Sequence, residues 1–371
     1  MQLTRRDFNR LAAASAAFSA VPRIVAQSTP APSQKKTRYA AVGLGLISVQ
    51  HFMPACRQSS MSEITGLVSG HPDKARRLAA EYNVPADSIY TYENYDEMRN
   101  NPNIDAVYIG LPNGMHAEYT IRAAKAGKHV LCEKPMTTSV ADAEAMIAAC
   151  KQADRKLMIA YRCQLEATIL KARDLVQTGA LGKIQGAQGA FGFNAQPGIW
   201  RLDRKLAGGG PLMDVGIYPL NTTRFLFGEE PGDIKANSSV IDHDGRFDQV
   251  EENLAWIMKF PSGITASYNT TYGAQMPGFL RIFGSKGILT LEPAFGYEGT
   301  HLVARINGPS RGQPGTTIDM PSPDKDPIEF VHEADYFANC IQNNLPVGPS
   351  GEEGLRDTRI MMDIYRASGR T

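Results

Sequence analysis

The stretch that most restricts the fold is Tyr39-Ala40-Ala41-Val42-Gly43-Leu44-Gly45-Leu46-Ile47-Ser48. A short apolar run leads into two glycines one residue apart, and residues 49–58 then read as a helix. Gly43 permits a tight turn, and Gly45 admits backbone N–H groups to an anion. The helix N-terminus that follows Leu46 and Ile47 faces that charge. This is the strand, turn and helix of a dinucleotide-binding unit, with Ser48 in place of the third glycine. Ser48 is small enough to keep helix and strand close. Further apolar runs at 63–69, 104–109, 129–132 and 156–160 continue a β-α alternation. The expectation is a Rossmann-type domain over residues 38–160.

In an open parallel sheet the ligand sits at the carboxyl ends of the strands, so those ends are the places to look for chemistry. The second strand ends in Ser69-Gly70-His71, with no carboxylate before Asp73. An acid there would select NAD by binding the ribose hydroxyls. Ser69 can instead hydrogen-bond a 2′-phosphate and Lys74 can neutralise it, which points to NADP. Arg76 and Arg77 read equally well as a solvated helix face. A third strand ends in Leu111-Pro112-Asn113-Gly114-Met115-His116, where Asn113 can cap the next helix and its neighbours can line the nicotinamide. His116 is placed with this group, as a hydrogen-bonding residue at the helix start. The fourth ends in Cys132-Glu133-Lys134-Pro135-Met136. Lys134 and Glu133 therefore stand at the same edge, with Pro135 fixing the backbone after them. Arg162 follows the next strand, where the chain crosses into its second half, and with Glu133 and Lys134 it is placed among the cofactor-binding residues.

Residues 161–371 carry a second dense stretch, Gly208-Gly209-Gly210-Pro211-Leu212-Met213-Asp214-Val215-Gly216-Ile217-Tyr218. Three glycines before a helix start allow close approach to a flat ligand, and Asp214 and Tyr218 lie four apart, on one helical face. Pro219 is expected to bend that helix by removing the bond to the Val215 carbonyl. Beyond Lys235 the pattern turns to strands, at 254–260, 263–272, 278–284 and 287–291, and residues 327–343 and 351–368 read as closing helices. The expected second domain is α+β, with a large, mostly antiparallel open sheet. Helices on one face of it leave the other for a second subunit, as a homodimer or homotetramer.

Residues 1–26 read as an address. Thr4-Arg5-Arg6-Asp7-Phe8 precedes a weakly apolar run at 11–21 and a small-residue cleavage site at Ile24-Val25-Ala26. This fits a twin-arginine export signal, and the run is about half as long as a bilayer span requires. Export through that machinery, to the periplasm, is the expected localisation. Residues 27–37, QSTPAPSQKKT, read as a proline-containing arm. The formal charge is +1, and losing Arg5, Arg6, Arg10 and Arg23 with Asp7 leaves it slightly negative, so there is no electrostatic footprint for nucleic acid. Five scattered cysteines, Cys56, Cys132, Cys150, Cys163 and Cys340, form no C-x-x-C pair. They suggest neither a disulfide framework nor a metal site and read as small buried hydrophobes.

In this order AVGLGLIS, GLPNGMHAEYTIRAAKAGKHVLCEKPM, AGGGPLMDVGIY and GPSGEEGLRDTR resemble the glucose-fructose oxidoreductase/inositol dehydrogenase/MocA family over essentially residues 38–371. The export signal, the Ser-Gly-His-x-x-Lys segment and Tyr218 are most similar to its glucose-fructose oxidoreductase branch. The resemblance implies that Lys134 is the catalytic lysine and that Asp214 and Tyr218 complete the site, in the subgroup with tyrosine where many relatives carry histidine. Trp200 and Arg201, in the segment Gln196-Pro197-Gly198-Ile199-Trp200-Arg201, border the expected sugar pocket. The implied activity is oxidation of a cyclic aldose at C1 to its lactone, with hydride passed through tightly bound NADP to a second sugar in ping-pong fashion. Tyr218 would act as the base, with the Lys134 ammonium stabilising its phenolate, and Asp214 would orient the sugar or Tyr218. A conventional NADP-dependent aldose dehydrogenase with exchangeable cofactor, and a non-catalytic sugar-binding sensor, are the alternatives. By analogy with the same branch, the arm at 27–37 would embrace a neighbouring subunit.

Overall fold

The structure, a computed structural model, describes residues 35–310 and 312–370. The expected export signal and most of the expected arm lie outside them. From Lys36 onward the chain packs as one compact unit holding two sheets. The first contains β1 (Thr37–Val42), β2 (Ser62–Val68), β3 (Ile89–Tyr90), β4 (Ala106–Ile109), β5 (His129–Cys132) and β6 (Leu157–Ile159), all parallel in the order β3-β2-β1-β4-β5-β6. Helices cover both faces, so β1, β4 and β5 are continuous apolar runs and not alternating ones. Tyr39, Ala40, Ala41, Val42, Val107 and Leu131 are all without exposure.

The helix after the glycine turn begins two residues earlier than expected. A wide, π-type turn at Ile47–Phe52 runs directly into α1 (Met53–Gln58). Then come α2 (Pro72–Tyr82), α3 (His116–Lys125) and α4 (Val140–Gln152), the last capped by Ser139, whose side chain accepts from Asp142 N. All five cysteines are buried and free.

The second sheet contains β7 (Ile184–Gly192), β8 (Asp233–Ser239), β9 (Asn253–Lys259), β10 (Thr265–Thr271), β11 (Met276–Gly284), β12 (Gly287–Leu291), β13 (His301–Ile306) and β14 (Thr316–Pro321). Their order is β14-β13-β12-β11-β7-β10-β9-β8, antiparallel except for the parallel pair β7 and β10. Along β9, Leu254, Trp256 and Met258 are buried while Ala255, Ile257 and Lys259 are exposed. This is the alternation of a sheet covered on one face. Helices α5 (Ala167–Gln177), α7 (Ile217–Phe227) and α9 (Gly351–Ala367) supply that cover, a short α6 (Arg204–Ala207) precedes α7, and α8 (Ile328–Gln342) packs on the first sheet. Among the described residues no helix is long and apolar enough to cross a membrane.

The central strand β7 escaped the sequence pattern. Its sequence, IQGAQGAFG, has neither the β-branched content nor the clear alternation that marks the other strands. The small residues serve packing: a Cβ at Gly189 would lie 3.0 Å from Pro219 Cβ, so the bare backbone lets α7 settle on the sheet. Pro219 lies inside a helical run that is continuous from residue 211 to 227, three residues into α7 and directly after a π-type turn at Leu212–Gly216, so its missing N–H falls where the run changes from π-type to α-type turns.

Substituting Gly189→Val separates two effects. Strand propensity favours valine, whereas the close approach of Pro219 opposes any side chain. The expected result is a loss of about 1 to 3 kcal/mol, read as a lower midpoint of thermal unfolding.

Candidate active site

Gly43 adopts φ +83°, and a Cβ there would meet the Gly110 carbonyl at 2.8 Å. Ser48, in the position of a third glycine, donates from Oγ to Gly43 O at 2.5 Å and so closes the turn itself. Above Gly45 the space is open: a Cβ would find only Gly110 O, at 3.9 Å, and Leu46 beside it is 73% exposed. A bare turn, a helix start and open space above them fit a dinucleotide pyrophosphate. Ser69, just beyond β2, is buried with its Oγ accepting from His71 N at 3.0 Å, which leaves its O–H free to donate. Lys74 is half-buried in the first turn of α2.

A cavity of about 250 Å³ lies where strand ends of the first sheet meet the second half of the chain. Ile47, Leu111, Asn113, Glu133, Lys134 and Arg162 line it from one side, and Trp200, Arg201, Asp214 and Tyr218 from the other. Gly43, Gly45, Leu46, Ser69, Lys74, Pro112 and His116 do not line it. His116 is wholly buried, with Nδ1 and Nε2 at 2.9 and 2.8 Å from the carbonyl oxygens of Pro135 and Leu111. Burial lowers its pKa and the facing carbonyls oppose that, and the ring braces two strand-end loops without reaching the cavity. Asn113 does not cap the following helix either. Its Nδ2 donates to Ala207 O at 2.8 Å, which ties the loop to the segment before the three glycines.

Lys134 reaches across between the two sheets. Its Nζ donates to the Asp214 carbonyl at 2.7 Å and lies 3.5 Å from Asp214 Oδ1. The other carboxylate oxygen, Oδ2, accepts from Arg201 Nε at 2.7 Å and from Tyr272 O–H at 2.9 Å. Burial pushes the Asp214 carboxyl up, but Arg201, Lys134 and the Tyr272 bond outweigh it and leave the pKa below its ordinary value. Asp214 is thus an ionised hub for Lys134 and Arg201, and among the described residues its carboxylate is held by these two and Tyr272, with no hydrogen bond to Tyr218. Arg201 in turn stacks over Trp200, 4.7 Å from the ring centroid.

Tyr218 faces the same cavity by a different set of contacts. Lys134 Nζ sits 4.5 Å from its ring centroid and Arg162 Cζ 5.2 Å. Phe295 stacks on it at 5.8 Å with 26° between planes. Burial raises the phenol pKa well above its usual range, opposed first by Arg162. Arg162 therefore joins Lys134 as a cation beside the phenol. The sequence reading missed Tyr272, Phe191, Phe193 and the turn Phe295-Gly296-Tyr297, all of which border the cavity or its charges. Tyr272 directly follows β10 and was legible only as part of a strand.

Because the Asp214 carboxyl is depressed in the fold, its charged form stabilises above the unfolded pKa, and that contribution is lost as pH falls through the folded value. Arg201→Ala removes the leading opposing charge, so the Asp214 pKa rises. Its titration, followed by carboxyl-carbon NMR, and the acid limb of the activity profile are both expected to move to higher pH.

Comparison with known proteins agrees with this geometry. Residues 37–161 match the oxidoreductase family with an NAD-binding Rossmann fold, and residues 169–290 match the GFO/IDH/MocA C-terminal domain. The chain is similar to an aldose-aldose oxidoreductase from Caulobacter crescentus, whose structure was solved with glycerol. The two are 41% identical with a TM-score of 0.85, over 90% of this chain and 98% of that one. It is 32% identical to D-xylose 1-dehydrogenase [NADP(+)] of Haloarcula marismortui, over 89% of this chain and 91% of the relative. It is 28% identical to D-xylose 1-dehydrogenase (NADP(+)) 2 of Haloferax volcanii, over 89% of this chain and 97% of the relative. The two models together match most of the chain, one on the half that holds the parallel sheet and one on the half that holds the mostly antiparallel sheet, and this chain belongs to the GFO/IDH/MocA oxidoreductase family.

Proposed function

We propose that this protein is a sugar oxidoreductase that keeps NADP(H) bound, oxidises a cyclic aldose at C1 to its lactone, and reduces a second sugar to an alditol in a ping-pong cycle. The observation that carries the reading is the convergence of Lys134, Asp214 and Tyr218 on the cavity that strand-end residues Ile47, Leu111 and Asn113 also line. The similarity to an aldose-aldose oxidoreductase supports an aldose as donor and a second sugar as acceptor. The names of two relatives, and the absence of an acid at Ser69-Gly70-His71, support NADP.

When bound, the nicotinamide supplies the hydride acceptor for one sugar and the donor for the next. Gly43, Gly45, Leu46 and Ile47 would hold the pyrophosphate, Ser69 and Lys74 the 2′-phosphate, and Leu111, Pro112, Asn113, Glu133, Lys134 and Arg162 the nicotinamide end. Tyr218 takes the C1 hydroxyl proton of the donor sugar and returns it to the acceptor. Lys134, anchored on Asp214, offers an ammonium to the sugar oxygen at the reacting carbon. Trp200 and Arg201 form the outer wall against which a sugar ring packs. The periplasm, reached through the twin-arginine pathway, is the proposed location, and an enzyme exported with a resident cofactor needs a second substrate to reoxidise it.

The open face of the second sheet supports self-association into a dimer or tetramer. Ile257, Phe279, Phe283 and Ile288 all point to that face and are half-buried or exposed. An ordinary NADP-dependent aldose dehydrogenase is the second reading, favoured by the names of the two xylose dehydrogenase relatives. Tyr218→Phe tests the chemistry common to both. Sugar-driven nicotinamide reduction is expected to fall by roughly 10²- to 10⁴-fold with nucleotide binding kept. A folded variant with the parent rate overturns the assignment of Tyr218.

A further inference from the structure

Burial works against any role for Tyr218 as a proton acceptor at neutral pH, so a cation must favour its ionised form. Two are close. Lys134 directs its N–H groups at Asp214, to the backbone oxygen and to Oδ1. Arg162 is placed otherwise. It is 4% exposed, and its terminal nitrogens are held by backbone and carboxylate: Nη1 donates to Gly296 O at 2.9 Å and to Glu329 Oε2, and Nη2 to Phe295 O at 2.6 Å. Its Nε is buried and without a hydrogen-bond partner among the described residues.

The turn that holds Arg162 also holds the phenol. Phe295 presents its carbonyl to Arg162 and its ring to Tyr218, and it does so at φ +67°, a conformation that costs a non-glycine residue energy. Strain kept at such a place indicates that position matters there. Tyr218 faces Glu133, Cys163, Lys134 and Tyr297 besides Arg162, and Arg162 faces Glu329, Glu333, Cys163 and Tyr297. Burial raises the pKa of Glu133 and Glu333, so the carboxylate beside Arg162 with a direct ion pair is Glu329. Arginine keeps its charge throughout this range.

We propose that Arg162 is the cation that stabilises the Tyr218 phenolate, held in place by Glu329 and the strained Phe295-Gly296 turn. In the oxidation of a sugar the O–H bond at C1 breaks as a Tyr218 O–H bond forms, and the C–H electron pair leaves as hydride to the nicotinamide; the acceptor sugar reverses both transfers. This inference rests on Tyr218 being the acid-base group proposed above, and it adds a residue whose sequence position suggested only cofactor binding.

The test follows the tyrosine ring-carbon NMR titration of protein labelled in tyrosine, without sugar, with Tyr218 assigned by the resonance lost in Tyr218→Phe. Arg162→Met can leave Glu329 unpaired and unfold the protein, so it is made together with Glu329→Gln, and Arg162→Lys is measured beside it. In the double variant the Tyr218 titration is expected to move up by about 1 to 3 pH units, with Arg162→Lys in between. The pH of half-maximal nicotinamide reduction by sugar should move with it. An unmoved Tyr218 titration in the folded double variant, or in Arg162→Lys if only that folds, overturns the proposal. A moved titration combined with full turnover in Tyr218→Phe keeps the Arg162 pairing and overturns the acid-base role of Tyr218.

Discussion

Lys134 and Asp214 meet across the line between two sheets that share no strand, and the site exists only because they do. Lys134 projects from the loop after β5, and Asp214 lies in the π-type turn before α7. The contact is mostly buried and joined by Arg201 and Tyr272, so removing one partner leaves charge without compensation, a cost of about 3 to 5 kcal/mol for a buried pair. The same contact joins Arg201 and Tyr272 in favouring the ionised carboxylate. Stability and chemistry are therefore coupled at this point of the fold.

A second buried network holds the other wall. Arg224, on the helix that carries Tyr218, pairs with Asp357 and with Glu353 at 3.0 Å, and its Nε reaches Glu230 at 2.6 Å. Asn221 adds a bond to Asp357 at 2.8 Å. These contacts fix α7 against α9, while Gly189 lets α7 lie close on β7. Tyr218 is thereby carried on an element pinned on two sides, as an acid-base group requires if it is to meet two different sugars in one geometry.

Much of this was legible in the residues. The glycine turn, the strand ends and the alternation of β9 to β12 follow from local rules of backbone freedom and period, and those rules operate within a few residues. Lys134, Asp214 and Tyr218 were recognised through their motifs, and the structure supplies the reason the segment GPSGEEGLRDTR accompanies them: its Glu353 and Asp357 hold Arg224. What was not legible depends on distant pairing. β7 hides because its small residues answer to Pro219 and not to strand propensity. The partners of Asn113, His116 and Arg162 lie 94, 19 and 167 residues away in the chain at their key contacts. The turn at Phe295 has no pattern that announces a strained residue facing a tyrosine.

The central claim is that the nicotinamide nucleotide stays with the protein and cycles between two sugars. The most direct measurement is the near-ultraviolet spectrum of the purified mature protein with no nucleotide added, before and after an aldose and then after a second sugar. The account predicts a reduced-nicotinamide band that appears in proportion to protein with the first sugar and is erased by the second. A spectrum that stays unchanged until NADP is supplied would contradict it and leave a dehydrogenase with an exchangeable cofactor.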